Sequence, residues 1–185
     1  MVGVVVRVRE GRLQALIGSA ALGRGEQFEQ ALARAVDVPK LAHVEQLVTR
    51  VLPEGGVATA YLGLVPADAL LEGDWHDVAD AGEHRDLVAA AQARLRAKLS
   101  YTNVGFALAP SVFTISELRE IYVAALGHDV SATNLQRVLV RRRVLERVGG
   151  RRPSGAAGGR PAALFRFRSD HLEVTDEFAA LRPPR

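Results

Sequence analysis

Residues 113–141 read Phe113-Thr114-Ile115-Ser116-Glu117-Leu118-Arg119-Glu120-Ile121-Tyr122-Val123-Ala124-Ala125-Leu126-Gly127-His128-Asp129-Val130-Ser131-Ala132-Thr133-Asn134-Leu135-Gln136-Arg137-Val138-Leu139-Val140-Arg141. Thr114 and Glu117 have the spacing of a capping box, in which hydroxyl and carboxylate satisfy each other's orphan amides at a helix start. Leu118, Ile121, Tyr122 and Ala125 follow at i, i+3, i+4, i+7, the stripe of one buried helix face. Gly127, with His128 and Asp129, ends that helix. Ser131 is an N-cap for the next, whose inward face is Leu135, Val138 and Leu139. Beyond it the sequence predicts a short strand around Leu145–Val148, a loop from Gly149 to Pro161 and a strand at Ala163–Phe167. Helix, short turn, helix and β-hairpin in that order predict a winged helix-turn-helix.

With Leu135, Val138 and Leu139 turned inward, the second helix exposes Thr133, Asn134, Gln136, Arg137, Val140 and Arg141. Asn and Gln match adenine bidentately, and Arg matches guanine or phosphate. The first turns of a recognition helix lie deepest in the groove. Thr133, Asn134 and Arg137 are therefore expected at base edges, and Gln136 and Arg141 at bases or backbone. The glycine-rich loop carries Arg151, Arg152 and Arg160. As a wing it would follow the duplex, its arginines neutralising phosphates or entering a narrow minor groove. A solvated helix face and a solvated loop are the plainer readings. Their position directly after a helix and a tight turn favours the DNA-reading one.

Charge supports this. Residues 1–93 carry 8 Lys and Arg against 13 Asp and Glu, residues 94–168 carry 14 against 4, and residues 169–185 carry 2 against 4. A polyanionic partner is thus expected for the second part alone. A preference for Arg over Lys, 22 of 24 basic residues, fits a GC-rich genome but does not explain the concentration of charge in one segment.

The first part reads as strands with one short helix. Val2–Val8 and Leu13–Ile17 flank a Glu10-Gly11-Arg12 turn. Phe28, Leu32 and Val36 mark an amphipathic helix. Val44–Val51 and Val57–Val65 are strands separated by Pro53-Glu54-Gly55-Gly56. Residues 67–82 are acidic and irregular, with Trp75 set against the sheet. From Gly82 to Leu99 a long helix carries the stripe Leu87, Ala91, Leu95 and Leu99, and Asn103–Leu108 forms an apolar connector ending at Pro110. The division expected is residues 1–82, a connecting helix and linker at 83–110, and the winged helix at 111–185. Cysteine is absent, which excludes disulfides and thiolate metal sites and suits a reducing cytoplasm. The five histidines show no metal-ligand spacing, and no phosphate loop or nucleophile elbow is present. No stretch has the length of a membrane span or the layout of a signal peptide.

Three stretches resemble a known family: Lys98-Leu99-Ser100-Tyr101-Thr102-Asn103-Val104-Gly105-Phe106-Ala107-Leu108, Phe113–Arg119, and Gly159-Arg160-Pro161-Ala162-Ala163-Leu164-Phe165-Arg166-Phe167. They look like the Nudix-related transcriptional regulators, and Val57–Pro66 looks like a core strand of that family. The resemblance implies an α+β chain, with a shortened, degenerate Nudix-like α/β/α domain followed by a winged helix. It implies a homodimer on a palindromic double-stranded DNA operator, most often repressing, with NAD metabolism and an ADP-ribose-like or nucleotide-sugar effector in the best-known branch and sugar catabolism in others. A working Nudix box needs a Gly, a Glu, an Arg-Glu and a further Glu pair to hold metal against a pyrophosphate. Here Glu26 and Arg34 keep their places. The leading Gly is Ala20, the Glu after the Arg is Ala35, and the Glu pair falls on Val38 and Pro39. No diphosphohydrolase activity, catalytic residue, metal or cofactor is therefore expected. A winged-helix scaffold for an acidic protein partner is the alternative reading, and a Nudix hydrolase with a basic appendage the weaker one.

Overall fold

The computed structural model describes residues 1–21, 23–36, 41–51, 55–152 and 161–176. Strands β1 (Val2–Arg9) and β2 (Arg12–Ser19) form an antiparallel hairpin. Its two turn residues, Glu10 and Gly11, both have positive φ, the geometry that follows the twist of the flanking strands. After helix α1 (Phe28–Ala35), strands β3 (His43–Val51) and β4 (Val57–Leu64) form a second hairpin, and β4 lies parallel to β1. A two-residue strand β5 (His76–Asp77) pairs with β2 and completes a five-stranded mixed sheet of order β3-β4-β1-β2-β5. The sequence reading left β5 within an irregular segment, because two residues carry no periodicity.

Both faces of this sheet are covered, so β1 is a nearly unbroken apolar run rather than an alternating one. Val5 faces Leu32 of α1 and Val36, just after that helix, in one buried cluster, while Val4, Val6 and Val8 face the other side. Gly3 sits under α1 because a Cβ there would overlap the Leu32 side chain. Arg7 is also buried, and among the described residues it has no salt bridge: its guanidinium stacks 3.9 Å from the Trp75 ring centroid and donates to Gln14 Oε1 and the Leu71 carbonyl. Burial, with Arg9 nearby, lowers the Arg7 pKa. Trp75 is thus set against the sheet through a cation–π contact.

The far face is covered by α2 (Arg85–Tyr101), which buries Val88, Ala91, Leu95 and Leu99. The expected stripe began at Leu87; Val88 takes that place, and Leu87 packs at the edge of the same core. One 3-10 turn (Val104–Ala107) leads into α3 (Ile115–Leu126) and α4 (Ala132–Arg141), then the hairpin of β6 (Leu145–Arg152) and β7 (Ala162–Phe167). Phe113 exchanges both backbone hydrogen bonds with Phe165, adding a one-residue third strand. The strand expected around Leu145–Val148 continues to Arg152. Gly149 and Gly150 form a bulge, with Val148 opposite Leu164 and Arg151 opposite Ala163, so a glycine pair that reads as a loop is a kink within a strand. One continuous buried cluster runs from Val4 and Leu62 in the sheet through Leu95 and Phe113 to Leu118, Leu139 and Phe165. Among the described residues no helix is long and apolar enough to cross a membrane.

Candidate nucleic-acid interface

Thr114 opens α3 with the expected capping box: its amide donates to Glu117 Oε2 at 2.7 Å, and the Glu117 amide donates to Thr114 Oγ1 at 3.2 Å. Gly127, at φ +72°, closes the helix, its amide donating to the Val123 carbonyl. The turn to α4 is held from behind by Arg119. Its Nε donates to the Val130 carbonyl at 2.7 Å, and its guanidinium pairs with Asp129. Ser131 then caps α4 by accepting from the Asn134 amide. The orientation of α4 is therefore fixed at its N-terminus by a cap, a turn and an arginine belonging to α3.

Leu135 and Leu139 of α4 are buried and Val138 is half-buried. Thr133, Asn134, Gln136, Arg137, Val140 and Arg141 are all exposed. Arg137 and Asn134 are not independent, since Arg137 Nη2 donates to Asn134 Oδ1 at 2.8 Å. This i, i+3 pair holds the guanidinium over the first turn of the helix, where the positive end of the helix dipole also lies. Arg151 and Arg152 lie on β6, not in a loop, and both are exposed. Arg152 pairs with Glu117, so one expected wing cation is joined to the capping box of α3. Arg160 lies outside the described residues.

Sequence reasoning treated the positive charge of 94–168 as one surface. The structure divides it. Arg94 and Lys98 pair with Glu45, Arg119 with Asp129, Arg142 with Asp176, Arg152 with Glu117 and Arg166 with Glu146. Arg142, directly after α4, was missed as a positioning residue. Only 11% exposed, it also donates to the Ser100 carbonyl at 2.5 Å and so ties the end of α4 to the end of α2 and to residue 176. Asn103 was missed too. Its Nδ2 donates to the His171 carbonyl at 2.8 Å and its Oδ1 accepts from the Glu173 amide at 2.7 Å, clamping segment 171–176 against the connector. Gly105 marks a close crossing: a Cβ there would lie 2.6 Å from Tyr122 Oη and 3.0 Å from Phe167 Cζ. The only sequence-level sign of these roles is that Asn103 and Gly105 lie in a stretch carrying the family resemblance; Arg142 lies in none of them.

In the first part, Glu26 and Arg34 are brought together as an ion pair at 3.0 Å. The Gly23 amide also donates to Glu26 at 2.8 Å, and the Arg34 and Gly23 hydrogen bonds hold the Glu26 carboxyl below the usual carboxylate range. Both conserved-spacing residues thus fold the loop before α1. Val38 and Pro39 lie outside the described residues.

A covered mixed sheet joined through one core to a winged helix with a polar, cationic recognition face defines the class: a Nudix-like domain carrying a winged-helix reader. Residues 105–167 match the NrtR DNA-binding winged helix domain. The match is to that segment, and the sheet that precedes it has a Nudix-like fold. The ADPR responsive transcriptional repressor NtrR of Acinetobacter baylyi is 43% identical over 87 residues, covering 47% of this chain and 34% of the relative. The chain thus spans about a third of the length of that curated relative. The crystal structure of Shewanella oneidensis NrtR complexed with a 27mer DNA superposes with a TM-score of 0.73 at 22% identity, over 90% of this chain and 91% of that one. A MutT/nudix family protein from Enterococcus faecalis does so with a TM-score of 0.64 at 16% identity, over 90% and 88%. At these identities the structural matches establish the shared fold.

Proposed function

We propose that this chain is a sequence-specific, double-stranded-DNA-binding transcriptional repressor of the cytoplasm. It acts as a homodimer on a palindromic operator, answers an ADP-ribose-like metabolite, and has no diphosphohydrolase activity. The observation that carries the reading is α4, which offers Thr133, Asn134, Gln136, Arg137 and Arg141 together on one exposed face of a helix whose N-terminus is rigidly capped. Such a face can enter a major groove and donate to base edges while its N-terminus meets phosphate. Arg151 and Arg160 act as backbone contacts of the wing. The Acinetobacter baylyi relative, named as an ADPR responsive transcriptional repressor, supports repression and the response to ADP-ribose, and the loss of the carboxylates at Ala35, Val38 and Pro39 supports the absence of hydrolysis.

The test is fluorescence anisotropy of the full chain with duplexes from its own upstream region and a scrambled control, at low and moderate salt. Tight, salt-dependent binding to the native duplex alone is expected. Arg137→Ala should weaken native-duplex binding by about 10- to 100-fold, the worth of one bidentate base contact, and Asn134→Ala should alter sequence preference. Equal weak binding to both duplexes would refute the reading in favour of an acidic protein partner. Release of nucleoside monophosphate from ADP-ribose with magnesium would refute the non-enzymatic part alone.

A further inference from the structure

Where the sheet, the connector and the wing meet, the fold leaves a partly open cavity of about 820 Å³. Its floor is apolar, made by Leu41, Ala42, Leu71, Phe106, Ala109 and Phe167. Its polar lining is Ser111, Arg166, Ser169, Asp170 and His171. We infer that this cavity is a binding site for an uncharged, ring-bearing small molecule, and that its occupation is coupled to DNA reading.

The size and lining are those of a small-molecule site, largely apolar with a few polar groups at the mouth. Charge decides the class of ligand. Arg166 is paired with Glu146, and Asp170 stands beside His171, so among the described residues the rim offers no uncompensated cation to a phosphate or carboxylate. A diphosphate-bearing effector such as ADP-ribose would enter here at the cost of its hydration with little in return. A neutral planar ring gains apolar burial against Phe106 and Phe167. This site is thus distinct from any that answers an ADP-ribose-like metabolite, and it does not depend on that response.

Position supplies the coupling. One wall belongs to the loops that enter β3 and leave β4, at Leu41 and Leu71, and another to the end of β7. The third wall, residues 169–171, continues into the segment that Asn103 clamps, and Asp176 at its end pairs with Arg142 beside α4. A ligand here touches both the sheet and the segment that ties down the recognition helix. It shifts DNA affinity by its difference in affinity for the two arrangements.

The test uses Nile red, a neutral planar solvatochromic dye, titrated into the full chain. Ala69→Trp fills the cavity from a half-buried lining position. Leu70→Gln removes an adjacent side chain that is 92% exposed and does not line the cavity. A saturable one-to-one blue-shifted signal is expected, kept in Leu70→Gln and weakened at least tenfold in Ala69→Trp at unchanged melting temperature. Saturating dye should also change the affinity for the native duplex at least twofold in the wild type and not in Ala69→Trp. Equal dye binding by Ala69→Trp, or none by the wild type, overturns the site. A signal that falls with rising protein concentration, in step with self-association, overturns it in favour of a second copy covering the cavity. Dye binding with unchanged duplex affinity overturns the coupling. DNA binding by the unliganded chain is read separately, so its failure is distinct from all of these.

Discussion

Asn103→Ala and Asn103→Asp together measure what the clamp on segment 171–176 contributes. Asn103 is 1% exposed, and its amide group makes two hydrogen bonds of opposite sense, donating to the His171 carbonyl and accepting from the Glu173 amide. Each is worth about 1 kcal/mol net. His171 and Glu173 are exposed, so water can take up the freed backbone groups in the alanine variant. The expected loss is therefore about 2 kcal/mol, not the larger figure for a fully buried orphan. With a urea slope near 2 kcal/mol per molar, the midpoint should fall by about 1 M.

Asn103→Asp should behave differently with pH. As a carboxylate it still accepts from Glu173, but it repels the His171 carbonyl and carries a buried charge, so its folded pKa rises above the unfolded value of about 3.9. The folded state then binds more protons than the unfolded one, and stability relative to wild type must increase as pH falls through that raised value. The protonated acid can donate to His171 again. Urea melts at pH 8 and pH 5 decide the matter. An aspartate variant as stable as wild type at pH 8, or one that gains nothing relative to wild type at pH 5, would refute the two-bond account of the clamp.

Three further outcomes follow from single contacts. Tyr122 is buried, its hydroxyl has no hydrogen-bond partner among the described residues, and burial raises its pKa; Tyr122→Phe should be neutral or stabilising by up to about 1 kcal/mol in urea melts, and a loss of more than that would reveal a partner. Gly105→Ala should cost about 1–3 kcal/mol by overpacking against Tyr122 and Phe167, and less in the Tyr122→Phe background, so a double-mutant cycle with no coupling counts against the crossing. His43 is held below its ordinary pKa by burial, which Glu45 opposes and Lys98 reinforces. The unfolded state then binds the proton more readily, so stability is lost as pH falls below about 6.5, and His43→Asn should flatten that part of the urea-midpoint profile.

What the sequence made legible was local. The capping box at Thr114, the stripe from Leu118 to Ala125 and the exposed face of α4 are all set by spacings of three and four residues, and each is found as read. The two-sided burial of β1 was also legible in the consecutive valines Val4, Val5 and Val6. Contacts between residues far apart in the chain left no such sign. The Arg7–Trp75 stack, the Asn103 clamp and the Arg142–Asp176 pair join positions 34 to 70 residues apart, and no periodicity connects them. The start of the wing loop was misplaced for a related reason: Gly149-Gly150 has the composition of a loop, and only the register with Leu164 and Ala163 makes it a bulge. Local charge counts misled in the same way, since Glu45 and Glu117 lie far along the chain from the cations they hold.

The shared core limits how any signal reaches α4. Phe113, Leu118 and Leu139 of the reader belong to the same buried cluster as Val4, Leu62 and Leu95, and α3 touches both β1 and β2. Separating the reader from the sheet would expose several large side chains, each costing about 1.5–3 kcal/mol. Ligand couplings between sites are typically only about 1–3 kcal/mol, so a hinge through this core is out of reach. What lies within reach is held by a few polar contacts at the periphery: the Arg119 brace on the turn, the Arg152–Glu117 tie of the wing, and segment 171–176 with its Asn103 and Arg142 anchors. Each is worth an amount that a ligand can overcome, and each ends on an element that positions α4 or β6. On the proposed function, regulation within one protomer therefore acts through these ties and not through a swing of one domain against the other.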